Sequence, residues 1–542
     1  MIDQAARGKL SIGTPDWRLF YWMWVAALFG WAAWQRFALP LDPITDPDTW
    51  GYLAPALRKL VGAEFGHTYG RNFVYPAFVF SLLRLFGDFR AIVITQHLLG
   101  LVAGGVLLIT WRRARVFVLD SALSRAAHDG LGLLGATIFL LAGEPMRFEM
   151  GLRPEGVCAV LASINLYLAI QFIACCFVEK RKQATVGYGI GTAFASVLLA
   201  SVKPSFALAA LVPLLPVGVF LFRPGWFRQK VALAGGAALV AALLVVPEHF
   251  LGRNDETNRT FLPINLFVNH ATLIRDQIAS DVQHGAQTPY PQAWLARIHD
   301  ALDAEIAKSA AAAPGHYWSL GFDPDYLMHR DSIVAQLRRE FDDDVPKQCA
   351  FYWFYYRRIW QERPLLVLRR IAEQMSLFYS EMCPAYNREK FLSLANRYAQ
   401  AADVFQIQPY PELWINCPAA IELMDRTKVL SERAPVIPQP IPLRMTLSFL
   451  AGLYRPLLWI AVAVSAAVLF RPRYRRRLGW LVGLVLILYA YNAASCLEVA
   501  ILNSLEVRRY VTVQVYFTLL AQLFALWLIC EVALELRVRG KV

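Results

Sequence analysis

Asp46 and Asp48 stand two residues apart in the run Asp46-Pro47-Asp48-Thr49-Trp50-Gly51-Tyr52-Leu53-Ala54, directly before a stretch with amphipathic helical character. A carboxylate in that position can take the proton of an incoming hydroxyl. It can equally cap the helix and gain from the positive end of the helix dipole. A second acidic group follows at Glu144, Glu149 and Glu155, interleaved with Arg147 and Arg153. So dense a mixture beside apolar sequence must be paired internally or face a wet cavity, and it reads equally as a structural network or as a site. Cations recur at Arg71, at Lys203 before Pro204, and at Arg508 and Arg509 beside Tyr510. Such groups can bind phosphate, Arg bidentately. Snorkelling toward lipid headgroups is the plainer use of a single cation.

The elements that must hold these residues are membrane helices. The chain has 542 residues, 57% of them hydrophobic and only 18% charged, with mean hydropathy +0.39, which is too apolar for soluble domains of this size. Apolar runs near 17–38, 91–111, 129–143, 152–178, 186–201, 205–222, 230–247, 448–470, 478–497 and 510–532 predict ten transmembrane helices, since about 20 residues cross the hydrocarbon. The run at 186–201, rich in Gly, Ala and Ser, suits close packing inside a bundle. The first run follows Arg7, Lys9 and Arg18, has no small-residue cleavage site before Asp42, and reads as an uncleaved anchor.

The formal charge of +13 is concentrated in short clusters: Arg112, Arg113 and Arg115; Lys180, Arg181 and Lys182; Arg223, Arg228 and Lys230; Arg471, Arg473, Arg475, Arg476 and Arg477; Arg537, Arg539 and Lys541. Ten crossings place every cluster on the side of the N-terminus, which the positive-inside rule makes cytoplasmic. The excess charge is thus an orientation signal, and no nucleic-acid surface is expected. Parity assigns 39–90, 144–151, 202–204, 248–447 and 498–509 to the outer face. The candidate residues gather there or, as with Arg153, Glu155 and Tyr510, at the adjoining span ends.

The expected architecture is an all-α integral membrane bundle in three parts. Residues 1–247 form the N-terminal bundle with its first outer loop, 39–90, carrying interfacial helices at Trp50 to Val61 and Val74 to Phe86. Residues 248–447 form a mostly helical outer region with helix-like stretches at 292–310, 331–341 and 349–382, closed by the stiff run of Pro435, Pro438, Pro440 and Pro442. Residues 448–542 supply the last helices. Of the eight cysteines, Cys158, Cys175, Cys176, Cys496 and Cys530 suit apolar packing. Cys383 and Cys417 are a candidate disulfide in an oxidising outer compartment, with Cys349 an equal competitor. The sequence contains no Gly-rich phosphate loop, HExxH, GxSxG or solenoid repeat.

The order of these pieces resembles the GT-C superfamily, the multispan glycosyltransferases that use polyprenyl-phosphate sugars and include lipid A aminoarabinose transferases and protein O-mannosyltransferases. The resemblance spans most of the chain. It rests on Pro47 to Ala54 after the first span, Arg71 to Pro76 before an apolar stretch, Leu85-Phe86-Gly87, Glu362-Arg363-Pro364 with the basic stretch to Tyr379, and Arg508-Arg509-Tyr510 at the last span. It implies Asp48 as the base, with Asp46 second, and Glu149 or Glu155 as groups orienting the acceptor. Lys203, Arg508, Arg509, Tyr510 and Arg71 become the donor-phosphate residues. The implied partners are a polyprenyl-phosphate sugar donor, a lipid or polysaccharide acceptor and membrane lipids, in a bacterial inner membrane with the site on its periplasmic side. The family's frequent adjacent acidic pair is here Asp-Pro-Asp, which leaves open the choice between the aspartates and any use of a divalent metal; no other cofactor is expected. Two alternatives share the general layout: an O-antigen polymerase or ligase using a diphosphate-linked glycan, and a transporter or lipid flippase, for which ionisable groups near the midplane are expected.

Overall fold

A computed structural model of the chain describes residues 17–68, 70–118, 120–253, 255–312, 317, 319–328, 331–380, 385–406, 413 and 416–539. Arg7, Lys9 and Lys541, from the proposed orientation signals, and Cys383, from the proposed disulfide, lie outside these residues. Cys349 and Cys417 are both unbonded.

The protein is a multipass, all-α membrane protein. Among the described residues eight helices are long and apolar enough to cross a bilayer: Arg90–Phe117, Glu155–Val178, Lys182–Val202, Pro204–Phe222, Phe227–Gly252, Ile441–Phe470, Pro472–Leu502 and Val515–Arg537. The pair Arg125–Leu141 and Gly143–Met150, which meet at 46°, is apolar and long enough only when taken together, as a broken span or a re-entrant loop. The bend has a local cause, because the Pro145 ring clashes with the carbonyl four residues back, at Leu141, and Ala142 is extended. The Trp17–Phe37 helix falls short on composition, being rich in Trp and carrying Arg18 and Arg36. It still runs the depth of the bundle: Tyr21 lies under the Arg112 guanidinium, 4.9 Å from its ring, at one end, while Arg36 meets Glu149 at the other.

Glu155–Val178 and Val515–Arg537 form the centre, and most of their residues are buried inside the bundle. Phe227–Gly252 is peripheral, with 6% buried, as expected of a helix solvated by lipid. One end of the bundle is tied by Arg113 to Glu179 at 2.7 Å and Arg477 to Glu535 at 3.1 Å. The groups proposed for chemistry meet at the other end.

The segment after the first helix folds into the expected helices, Trp50–Leu60 and Val74–Phe86. In the 248–447 region the expected helix at 349–382 is instead two helices, Val345–Glu362 and Pro364–Leu377. Pro364 has no amide hydrogen to continue the ladder, so Arg363 becomes the junction. Phe351, Tyr355 and Ile359 repeat every four residues, are fully buried, and share the core with Ile274, Ile278 and Leu302. Asn269 Nδ2 donates to Leu502 O at 2.7 Å and Leu505 N to Gln374 Oε1 at 3.0 Å, docking this region onto the bundle. The proline-rich run forms strand β2 (Val436–Pro438), antiparallel to β1 (Phe391–Ser393). Leu392 and Ile437 of this ribbon pack on Met146 and Met150, and so roof the Gly143–Met150 helix.

Candidate functional site

The two aspartates are positioned by a short backbone zipper. Ile44 N donates to Met150 O at 2.8 Å and Leu152 N to Ile44 O at 3.0 Å, a parallel bridge that lays the chain leading to Asp46 beside the chain leading to Arg153. The far strand of this zipper is pinned by Gln96, whose amide donates to Glu149 O and Gly151 O at 2.8 and 2.9 Å. The helix cap at this point is Asp46: its Oδ1 accepts from Asp48 N at 3.0 Å, and Thr49 Oγ1 accepts from Asp46 N at 2.9 Å. Asp48 is therefore free of cap duty.

Asp48 instead gathers three guanidinium groups. Arg71 Nη2 reaches its Oδ1 at 3.0 Å, Arg509 Nη1 reaches Oδ2 at 2.7 Å, and Arg153 Nη2 also pairs with Oδ2. Arg153 Nε lies 2.8 Å from Asp46 Oδ2, so one arginine joins both carboxylates. Arg71 passes over the Trp50–Leu60 helix where Gly51 leaves room, since a Cβ there would collide with the guanidinium. Burial pushes the Asp48 carboxyl up, but the charges of Arg153, Arg509 and Arg71 outweigh it and hold it at about 2. At Asp46 burial prevails over Arg153, and the carboxyl is raised. The neighbours thus differ: Asp48 is a fixed anion, and Asp46 is the better proton acceptor.

Lys203 and Glu155 form a second layer behind these groups. Their Nζ and Oε1 are 2.6 Å apart, and both side chains are nearly inaccessible, 8% and 4% exposed. Tyr510 connects the layers. Its hydroxyl accepts from Arg509 Nη2 at 3.3 Å, and its ring lies 5.7 Å from Lys203 Nζ. Lys203 is thereby committed to a buried carboxylate and does not line the adjoining cavity. Removing only one member of such a pair strands the other charge, at a cost of about 3–5 kcal/mol. Lys203→Met is therefore expected to lower thermal stability in detergent sharply, and adding Glu155→Gln to restore most of it. Equal stability of the single and double variants would refute a structural pair.

Glu149 is separate from this cluster. Its carboxylate accepts from Arg36 Nε and Nη2 at 2.8 and 3.0 Å and lies 2.8 Å from His97 Nδ1, in a closed triad whose Arg and His are fully buried. Arg36 also donates to Leu140 O at 2.8 Å, so the triad fastens the first helix to the bend at residue 142. Glu149 supports the zipper from below, whereas Glu155 and the two aspartates share one electrostatic cluster.

A cavity of about 520 Å³ opens beside Asp46. Arg153, Arg508 and Arg509 form one wall, and Glu144, Arg147 and Arg397 contribute to the rest. Arg508 Nη1 is held 3.0 Å from Glu389 Oε1 and is two-thirds exposed. Arg509, which sequence reasoning left between phosphate binding and lipid headgroups, turns inward to Asp48. Arg153 was seen in the sequence only as part of a charge cluster; its spacing of two from Glu155 was the available signal. Asn387 and Arg397 come from the 248–447 region, and nothing local marked them. Among the described residues no group of three His, Cys, Asp or Glu side chains could hold a metal ion. Both oxygens of Asp48 are engaged by guanidinium groups, and Asp46 alone offers too few ligands for a divalent metal, so this donor set does not fit one.

No family model, no curated protein sequence and no solved structure matches the chain.

Proposed function

We propose that the protein is an inverting glycosyltransferase that moves a sugar from a polyprenyl-phosphate donor to an acceptor hydroxyl at the outer face of the membrane. The observation that carries this reading is the pairing of a cavity-facing carboxylate with elevated basicity, Asp46, to an adjacent wall of arginines at one end of a membrane bundle. Transfer from a sugar phosphate needs one proton acceptor and a stable departing anion, and this arrangement offers both. The acceptor oxygen forms a bond to the anomeric carbon as the bond from that carbon to the phosphate oxygen breaks. The acceptor proton passes to Asp46, and the electron pair leaves with the phosphate, beside Arg509 and Arg508. The resemblance ranked Asp48 first as base; its three guanidinium partners favour Asp46 for that role and Asp48 as the anion that keeps the arginines in place.

In this reading all ten long apolar segments cross the bilayer. The Trp17–Phe37 helix counts because Trp suits the interfaces despite its low hydropathy. Both termini are then cytoplasmic and residue 300 is outside. Reporter fusions are expected to place residue 300 opposite residue 475, and a shared side would reject the topology.

The function is tested with purified protein in nanodiscs, given an envelope-lipid extract and labelled monophosphate-linked or diphosphate-linked polyprenyl sugars. Transfer from the monophosphate donor with inverted anomeric configuration is expected. Transfer only from the diphosphate donor would favour the ligase class, and no transfer from either, with net movement of labelled lipid across the bilayer, would favour a flippase.

A further inference from the structure

The end of the bundle opposite the aspartates carries a second feature. A groove of about 270 Å³ opens sideways between the Glu155–Val178, Pro204–Phe222 and Pro472–Leu502 helices, lined among others by Phe177, Leu215, Val219, Trp480, Gly483 and Ile487. Its lining is almost wholly apolar. The five residues Ala174–Val178 form a π-helical turn, which rotates Phe177 out of α-helical register and brings its ring 5.5 Å from that of Trp480. Gly483 leaves the floor open, since a Cβ there would meet nothing within 4 Å. Leu215 and Val219 remain 61% and 57% exposed on the opposite wall.

The rim identifies the occupant. On the Pro472–Leu502 helix, Arg473 and Arg476 precede Trp480 by seven and four residues, and Gly483, Leu484 and Ile487 follow it by three, four and seven, so cations and groove floor lie on one helix face. Both arginines are exposed, and among the described residues neither has a carboxylate partner. Arg223, which ends the helix carrying Val219, places its guanidinium 5.3 Å from the Phe177 ring. An apolar slot open to lipid, headed by three cations from two elements, has the charge pattern of a molecule with a hydrocarbon chain and a phosphate at its end.

We propose that this groove binds one acyl chain of an anionic phospholipid, whose phosphate is held by Arg473, Arg476 and Arg223. The site is independent of the transfer reaction and lies at the other end of the bundle from Asp46. A phosphate beside a membrane-surface cation gains on the order of fivefold in occupancy per cation.

Native mass spectrometry of the full chain released from nanodiscs of mixed phosphatidylglycerol and phosphatidylcholine tests the site. The wild type is expected to retain one phosphatidylglycerol more tightly than any phosphatidylcholine. Gly483→Leu, which fills the floor, should lose that bound lipid. The paired exposed substitutions Arg473→Gln and Arg476→Gln should leave a lipid in the groove but reduce its preference for phosphatidylglycerol by more than tenfold. Equal retention of both lipids by the wild type, or an unchanged preference in the arginine variants, would overturn the proposal whatever the folding yield of Gly483→Leu.

Discussion

Asp46→Asn is expected to slow sugar transfer by roughly 10²–10⁴-fold, the usual contribution of a positioned general base, while the protein still inserts and folds. Asparagine caps a helix as well as aspartate does, so the bond from Asp48 N is kept and the zipper to Gly151 is undisturbed. What disappears is the proton acceptor. A purely structural role for Asp46 predicts near-normal activity in this variant, and that result would remove the base from the mechanism.

The pH profile separates the two aspartates. Activity requires the base to be ionised, so it falls as pH drops through the pKa of that group. Burial raises Asp46, which places the acid limb of kcat/KM above the ordinary carboxylate value of about 4. Three guanidinium groups hold Asp48 down at about 2, where its limb would lie below any workable pH. Asp48→Asn is expected to retain the limb and Asp46→Asn to lose it from its residual activity. The reverse pattern would restore Asp48 as the base.

Arg509→Ala is expected to reduce kcat/KM for the donor by about 100-fold, corresponding to about 3 kcal/mol of lost transition-state stabilisation. Arg509 contacts Asp48 and lines the cavity at the wall it shares with Arg153 and Arg508. Arg509→Lys should recover only part of the loss, because an ammonium cannot make two parallel bonds to a phosphate. Arg508→Ala, whose side chain is two-thirds exposed and paired to Glu389, should cost less. If Arg509→Ala saturates normally with donor and keeps its rate, the phosphate is bound elsewhere.

Much of the architecture was readable from the chain because lipid imposes a length and a polarity on whatever crosses it. The apolar runs at 91–111, 152–178 and 478–497 correspond to helices at Arg90–Phe117, Glu155–Val178 and Pro472–Leu502. The amphipathic stretches after Asp48 became the helices Trp50–Leu60 and Val74–Phe86. Alternating parity, set by the basic clusters, was sufficient to bring residues as distant as 48, 71, 153 and 509 to one end, and their ion pairs meet there.

The assignment of individual charges lay beyond the reach of local pattern. Whether Asp46 or Asp48 caps the turn depends on backbone geometry at Thr49, and the composition Asp-Pro-Asp fits either. Glu149 and Glu155 stand six residues apart in one acidic run, yet the turn of the chain at Gly151 sends the first to Arg36 and His97 and the second to Lys203. The ribbon of β1 and β2 pairs residues 45 positions apart, Leu392 with Ile437, and no periodicity in either three-residue strand announces it. The sequence alone therefore determined that these charged groups would share one end of the bundle, because transfer into hydrocarbon acts on each segment independently. Only the tertiary structure decided which carboxylate holds the arginines and which faces the cavity with a raised pKa, because Coulomb interactions and desolvation depend on distances that no single segment contains.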